Sequence, residues 1–99
     1  MKKVFLVFEE YRHNGCDMKL KVYVCTTKEI AIRKMKERLG WYLANTYLNN
    51  FVDDNFNVVA ELDEKYDTWE VNEDSVNIYL DDKITGLNLN ITESELIDE

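Results

Sequence analysis

The residues best suited to chemistry lie in one short stretch, where His13 precedes Cys16 by three positions between Arg12 and Asp17. A thiol beside an imidazole suits a nucleophile activated by a base, and both groups also bind zinc. A thiol enzyme further needs an orienting group and an oxyanion hole, and a zinc site needs about four ligands. Cys25, the second cysteine, forms no Cys-x-x-Cys pair. We therefore predict an ordinary loop with no catalytic residue, metal ligand or cofactor; an enzyme built here would require a reactive Cys16 thiolate.

Charge divides the chain into two halves. Residues 1–50 contain ten basic and five acidic residues, a balance of +5, whereas residues 51–99 contain two basic and fifteen acidic ones, a balance of −13. Net charge governs association more than fold, so the asymmetry concerns what the surface meets. It excludes no fold class.

Acidic pairs recur along the second half, at Asp53-Asp54, Asp63-Glu64, Glu73-Asp74 and Asp81-Asp82. They lack the Asp-x-Asp-x-Asp-Gly pattern of a calcium loop, and solvated turns explain most such pairs. The functional alternative is a carboxylate surface that imitates the phosphates of nucleic acid and occupies a basic groove on another protein. The predicted contact residues are Asp53, Asp54, Asp63 and Glu64.

The predicted helix carries a second apolar stripe on the side opposite its core stripe. This second stripe consists of Ile30, Trp41, Ala44 and Leu48. Its basic neighbours are Arg33, Lys34 and Arg38. Trp and Arg are frequent anchors of interfaces, so Trp41 and Leu48 are candidate contacts for a partner. The alternative is that residues 51–74 cover this stripe. The three cations also form a candidate site for nucleic-acid phosphate.

Two strands are predicted to precede the helix. Residues 3–11 are apolar on both faces, which predicts a central strand covered on both sides. Asn14-Gly15 supplies the positive φ of a tight reversal. The second strand alternates, and its predicted buried face consists of Met18, Leu20, Val22 and Val24, with a wetter face of Lys19, Lys21, Tyr23 and Cys25.

One long helix is predicted over about 27–49, because Thr26-x-x-Glu29 matches a capping box. Its predicted core stripe is Ile32, Met35, Leu39, Tyr42, Leu43 and Thr46. A second short helix is predicted near 54–64, followed by an extended piece through Trp69 and Val71. A hairpin is then expected over residues 75–92 because apolar and polar residues alternate there.

These elements predict an α+β fold as one domain, 1–99, in the order ββα(α)ββ. We expect a mainly antiparallel sheet of four or five strands, with the long helix and the short one on one face. The apolar run at 4–8 is too short for a signal peptide or a membrane span. The chain is therefore expected to be cytoplasmic, away from membranes, with reduced cysteines.

The composition is acidic, contains no proline and includes ten asparagines. In these respects the chain resembles the small accessory proteins of phages and mobile elements, including anti-CRISPR inhibitors, and also chromosomal proteins of low-GC bacteria. The resemblance is one of composition across the whole chain, and it provides no motif from which a functional residue could be transferred.

The predicted function is a non-enzymatic protein-binding module, an inhibitor in the sharper version, that uses its acidic surface or the surface around Trp41. The alternative is a nucleic-acid-binding regulator that contacts phosphate through Arg33, Lys34 and Arg38. A further alternative is self-association into a homo-oligomer, in which the basic face of one copy meets the acidic face of the next.

Overall fold

The computed structural model describes residues 2–15 and 17–96. Its elements follow in the order β1 (Lys2–His13), β2 (Asp17–Cys25), α1 (Lys28–Asn45), a 3₁₀ turn (Tyr47–Phe51), β3 (Thr68–Val71), β4 (Ser75–Leu80) and β5 (Thr85–Leu96). The α+β class, the antiparallel sheet and the long helix are confirmed. The predicted order ββα(α)ββ is wrong in two respects. A third strand, β3, precedes the last hairpin, and the only helical element after α1 in the described residues is the 3₁₀ turn.

The five strands form one open antiparallel sheet in the order β2-β1-β5-β4-β3. Its centre is the pairing of β1 with β5, in which Lys2 lies opposite Leu96 and Arg12 opposite Gly86. The first and last strands of the chain therefore hold the sheet together. The predicted central position of β1 is correct. The edge strands, β2 and β3, each have a strand partner on one side only within the described residues.

Helix α1 begins one residue later than predicted and ends four residues earlier. Its cap is Thr27, which has an extended backbone and accepts a hydrogen bond of 3.1 Å from the Ile30 amide. It ends because Thr46 is extended, with its hydroxyl bound to the Tyr42 carbonyl. No helix in the described ranges is long and apolar enough to cross a membrane.

The core lies between α1 and one face of the sheet. From the helix, Ala31, Met35, Tyr42 and Leu43 are buried, so the predicted stripe is largely right. From the sheet, the buried residues include Val7, Val76, Ile78, Leu80, Leu87 and Leu89. The helix contacts β1, β2 and β5 on this face. Within the described residues the opposite face of the sheet has no helix packed on it.

The predicted burial of β2 is wrong, because the strand faces the core with its other side. Tyr23 lies opposite Val7 and Cys25 opposite Phe5, so all four point toward the helix. The face that was predicted to be buried is solvent-exposed, at Leu20, Val22 and Val24; the side chain of Met18 lies outside the described part of the structure. For the same reason β1 is covered on one face and largely open on the other.

The segment between the 3₁₀ turn and β3 is a loop where a short helix was predicted near 54–64. Its turn is closed by the isolated bridge between Val52 and Val58 and contains Phe56 at φ 63°. This loop packs against the helix at Gly40, where a β-carbon would lie 3.9 Å from the Phe56 ring. A β-carbon at Gly40 would therefore make only an ordinary van der Waals contact with the loop.

Replacing Gly40 by alanine should raise the free energy of unfolding by about 0.5–1 kcal/mol, because alanine restricts the unfolded chain and the new methyl group meets only ordinary contacts. Chemical denaturation measures the change. Gly15→Ala is the matched control with the opposite sign, since Gly15 has φ 69° and its nearest neighbour is the side chain of Ile84 at 3.5 Å. Destabilisation by Gly40→Ala would contradict the described packing of the loop.

Candidate functional site

The structure separates the apolar residues that were predicted to contact a partner. Leu48 is completely buried in the 3₁₀ turn and belongs to the core, so its assignment to a binding surface is wrong. Trp41 is 45% exposed and Ile30 is 41% exposed. The 51–74 segment does not bury Trp41, because it packs on the other flank of the helix, around Gly40. Trp41 therefore remains accessible to a partner.

Arg38 is occupied by an internal ion pair. Its Nε donates to Glu9 Oε1 at 2.6 Å and its Nη2 donates to Glu9 Oε2 at 3.1 Å. The hydroxyl of Tyr42 donates to Oε2 at 2.6 Å and that of Tyr23 to Oε1 at 3.2 Å. The Glu9 side chain is fully buried between the helix and the sheet. This cluster joins β1, β2 and α1 through one carboxylate.

The lowered pKa of Glu9 explains why its carboxylate stays ionised although the side chain is buried. Burial raises that pKa, but the hydrogen bonds from Arg38 and Tyr42 and the charge of Arg38 bring it below its ordinary value. Burial and the hydrogen bond to Glu9 raise the pKa of Tyr42, which stays a neutral donor. Hence Glu9 is ionised and fully paired, a structural role that sequence reasoning missed. Its position on the core face between Val7 and Tyr11 is the signal that could have found it, since a carboxylate there needs a partner.

The basic stripe of the helix is thus weaker than its sequence suggests. Arg33 is exposed, whereas Lys34 is partly buried, with its Nζ 3.5 Å from Glu37 Oε1 and 4.8 Å from the centre of the Tyr23 ring. Arg38 would have to leave Glu9 to bind phosphate. Lys34 and Arg38 each form an ion pair with a glutamate. Of the three predicted phosphate contacts, only Arg33 is exposed and forms no ion pair within the described residues.

Two of the four predicted acidic contacts organise the loop. Asp53 Oδ1 accepts hydrogen bonds from the amides of Asn55 and Asn57, at 2.8 and 3.0 Å, and these bonds lower the pKa of Asp53. Asp63 Oδ1 accepts from the Lys65 amide at 3.0 Å. Both are Asx turns, in which a carboxylate closes a short loop. These two carboxylates therefore stabilise turns of the loop by accepting hydrogen bonds from its amides.

The other two predicted acidic contacts, Asp54 and Glu64, are exposed and make no such backbone hydrogen bond within the described residues. They are the positions at which charge can be reversed without opening a turn. The acidic surface can therefore be tested by charge reversal at Asp54 and Glu64. If all four residues were reversed together, a loss of binding could result from the opened turns at Asp53 and Asp63.

The loop with candidate chemistry serves as a junction between hairpins. His13 Nδ1 lies 2.8 Å from the hydroxyl of Thr85, and the amides of Asn14 and Gly15 donate to the carbonyls of Lys83 and Ile84. Asn14 has φ 57°, in accordance with the predicted reversal. Cys16 lies outside the described residues. Among the described residues no three metal-binding side chains cluster.

An exposed apolar surface lies on the open face of the sheet, in the β1/β2 patch, which we define as Phe8, Leu20, Val22 and Val24. Val22 lies opposite Phe8 on the neighbouring strand, so the patch is continuous across the two strands. The exposed fractions are 37% for Phe8, 68% for Leu20, 53% for Val22 and 67% for Val24. Isolated exposed leucines need no explanation, whereas a contiguous cluster of this kind marks a contact surface.

A depression borders the patch on its inner side. Its volume is about 400 Å³, and its lining includes Phe8, Leu20, Val22, Asn88 and Asn90. It exists because β5 presents short polar side chains to the open face beside the larger apolar ones of β1 and β2. Glu9, Glu10 and Lys21 also line the depression, and the exposed Glu10 lies opposite Leu20, so the apolar side chains border a negative charge on the open face.

Sequence reasoning missed the patch because it assigned these residues to the core. Alternation shows that the two faces of β2 differ, but which face meets the helix depends on pairing with β1. A signal was present in Tyr23 and Cys25, which alternate with the patch residues and are also compatible with burial. The choice between the two faces required the position of the helix.

Comparisons of the chain with protein-family models, with curated proteins and with solved structures found no match, so its function must be argued from its own geometry.

Proposed function

We propose that the protein is a non-enzymatic protein-binding module and that its principal contact surface is the β1/β2 patch. The observation that supports this proposal is the exposure of Leu20, Val22 and Val24, at 68%, 53% and 67%, beside Phe8. Three aliphatic side chains exposed to this degree on one face of β2, with Phe8 beside them on β1, are costly to leave in water. A partner that covers them gains the free energy of burial.

The size of the patch suits a protein partner. Its four side chains expose on the order of 400 Å² of apolar surface, within the range of about 300–600 Å² for the largest and often functional patch of a monomer. Burial of that area is worth on the order of 10 kcal/mol before the entropic costs of association. The edge position of β2 adds unpaired backbone groups beside the patch.

Affinity capture from a lysate of the source organism tests the proposal when wild type is compared with a Leu20→Thr/Val22→Thr/Val24→Thr variant. The partner protein recovered by wild type should be lost with the triple variant, because threonine preserves the strand but removes the apolar contact. Val59→Thr is the control, since Val59 is also apolar and 64% exposed, but lies in the loop before β3. Circular dichroism verifies that each variant is folded.

Two further arms of the same capture separate the alternatives. An Asp54→Lys/Glu64→Lys variant reports on the acidic surface without disturbing the turns at Asp53 and Asp63. Nuclease treatment reports on nucleic acid, the alternative that depends on Arg33 and Lys34. Equal recovery by wild type and the triple threonine variant would reject the patch, and loss of all recovery on nuclease treatment would favour the nucleic-acid regulator.

A further inference from the structure

We propose a second binding site, at the opposite edge of the sheet from the β1/β2 patch: strand β3 accepts an extended segment of a partner protein, in which apolar residues alternate with polar ones and a basic residue lies beside Glu70. This site uses different residues from the principal contact surface and does not depend on it. The inference combines a free strand edge, an adjoining groove and the charge around both.

The first observation is the edge itself. Thr68–Val71 pairs with β4, and no strand in the described ranges pairs with its other side. An edge strand presents unpaired amides and carbonyls, which an extended chain satisfies by adding one more strand. β3 contains no proline or glycine and only one charged residue, Glu70, so its main protection against pairing is its short length of four residues.

The second observation is the groove beside that edge, between β3, α1 and the loop before β3. Its volume is about 510 Å³, and its apolar lining consists of Leu39, Leu43, Phe56, Val58, Trp69 and Val71. Gly40 forms part of the wall, where the missing side chain leaves space below the Phe56 ring. The groove exists because α1 packs over β1, β2 and β5, so that the core side of β3 is only partly covered, with the Trp69 ring 6.4 Å from the Phe51 ring.

The groove and the edge fit the same occupant. Trp69 and Val71 point to the core side of β3, since they pair with Ile78 and Val76, which are buried. A strand added beside β3 would place every second side chain next to them, inside the groove. These side chains must be apolar. The intervening ones emerge on the open face, next to Thr68 and Glu70.

The third observation is charge. Residues 51–74, which supply β3 and one wall of the groove, contain nine acidic residues and one lysine, Lys65, while the helix wall adds one cation, Lys36. Such a field attracts a basic segment and repels an acidic one. Directly lateral to Glu70, a lysine or arginine of the partner would form an opposite-charge cross-strand pair. Alternating apolar residues with basic flanks are thus the recognition chemistry of this site.

A synthetic peptide tests the inference without knowledge of the natural partner. The probe is a capped ten-residue peptide in which valine alternates with threonine, with lysine at one central threonine position and at both ends. Two control peptides are compared with it. One has glutamate in place of each lysine, and the other has proline in place of two central valines. Binding is measured by nuclear magnetic resonance with ¹⁵N-labelled protein.

We expect the lysine peptide to shift the amide signals of Thr68–Val71 and to slow their hydrogen exchange, while the proline peptide does neither because it cannot complete the strand. Glu70→Lys should weaken binding of the lysine peptide about three- to ten-fold, the change expected when an opposite-charge pair becomes a like-charge pair. The same variant should prefer the glutamate peptide. This reversal distinguishes lateral pairing from general attraction.

Gly40→Ala tests the groove separately, because it should reduce peptide binding in a protein that is more stable than wild type, so the loss cannot come from unfolding. The triple threonine variant of the β1/β2 patch should bind the peptide as wild type does. Shifts that avoid β3, equal binding of the proline peptide, or unchanged preference in Glu70→Lys would each overturn the inference.

Discussion

Replacement of Arg38 by methionine should lower the free energy of unfolding by about 3–5 kcal/mol at neutral pH, because it leaves the buried carboxylate of Glu9 without its cation. Both guanidinium hydrogen bonds would be lost, and only the hydroxyls of Tyr42 and Tyr23 would remain to compensate the charge. Methionine retains the unbranched stem of the side chain as far as the position of Nε and a similar helix propensity, so the effect reports mainly on charge and hydrogen bonding. Urea denaturation provides the measurement.

The matched control is Arg33→Met, the same substitution at an exposed position of the same helix, which should change stability by less than about 0.5 kcal/mol. A double-mutant cycle with Glu9→Gln measures the coupling between the two side chains. If Arg38→Met and Arg33→Met destabilise the protein equally, the ion pair does not contribute as its geometry implies.

The pH dependence of the Arg38→Met effect provides a second signature. In wild type, the lowered pKa of Glu9 means that its contribution is present above the ordinary value of 4.5 and is lost as the pH falls through the folded-state pKa. In the variant, burial remains but the largest opposing influence is absent, so Glu9 accepts a proton more readily. The difference in stability between the two proteins should therefore shrink as the pH falls from the folded-state pKa of Glu9 in the variant to its lower folded-state pKa in wild type. A difference that is independent of pH would contradict this mechanism.

Replacement of Leu48 by alanine should lower the free energy of unfolding by about 2–5 kcal/mol, the range for truncation of a fully buried leucine in a core that relaxes only in part. Leu48 has no exposed surface and belongs to the cluster that includes Leu43 and Leu80. Thermal and urea denaturation both measure the loss.

The control is Leu20→Ala, the same change in a side chain that is 68% exposed, which should alter stability by less than about 0.5 kcal/mol. Comparable destabilisation by Leu48→Ala and Leu20→Ala would mean that the 3₁₀ turn does not anchor the core.

Features that depend on neighbours along the chain were predictable. Asn14 and Gly15 adopt positive φ because their own backbone preferences favour the reversal. The alternation through residues 75–92 indicated the β4–β5 hairpin, and the helical stripe around Met35 and Tyr42 indicated the face that packs on the sheet. The charge asymmetry and the acidity of the segment before β3 are likewise visible in the order of residues, because charge needs no partner to be counted.

Features that depend on distant partners were not predictable. Glu9 is buried because Arg38, 29 residues later, reaches it across the core. Helical periodicity placed Leu48 on an exposed stripe, but the residue is buried. The reason is that α1 ends where the Thr46 backbone becomes extended, and the following 3₁₀ turn directs Leu48 into the core. The face of β2 that meets solvent was decided by where α1 docks, and alternation alone is symmetric between the two faces. Local sequence preferences thus specified most of the elements, whereas the exposed patch and the open groove arose from how one helix covers only part of a five-stranded sheet.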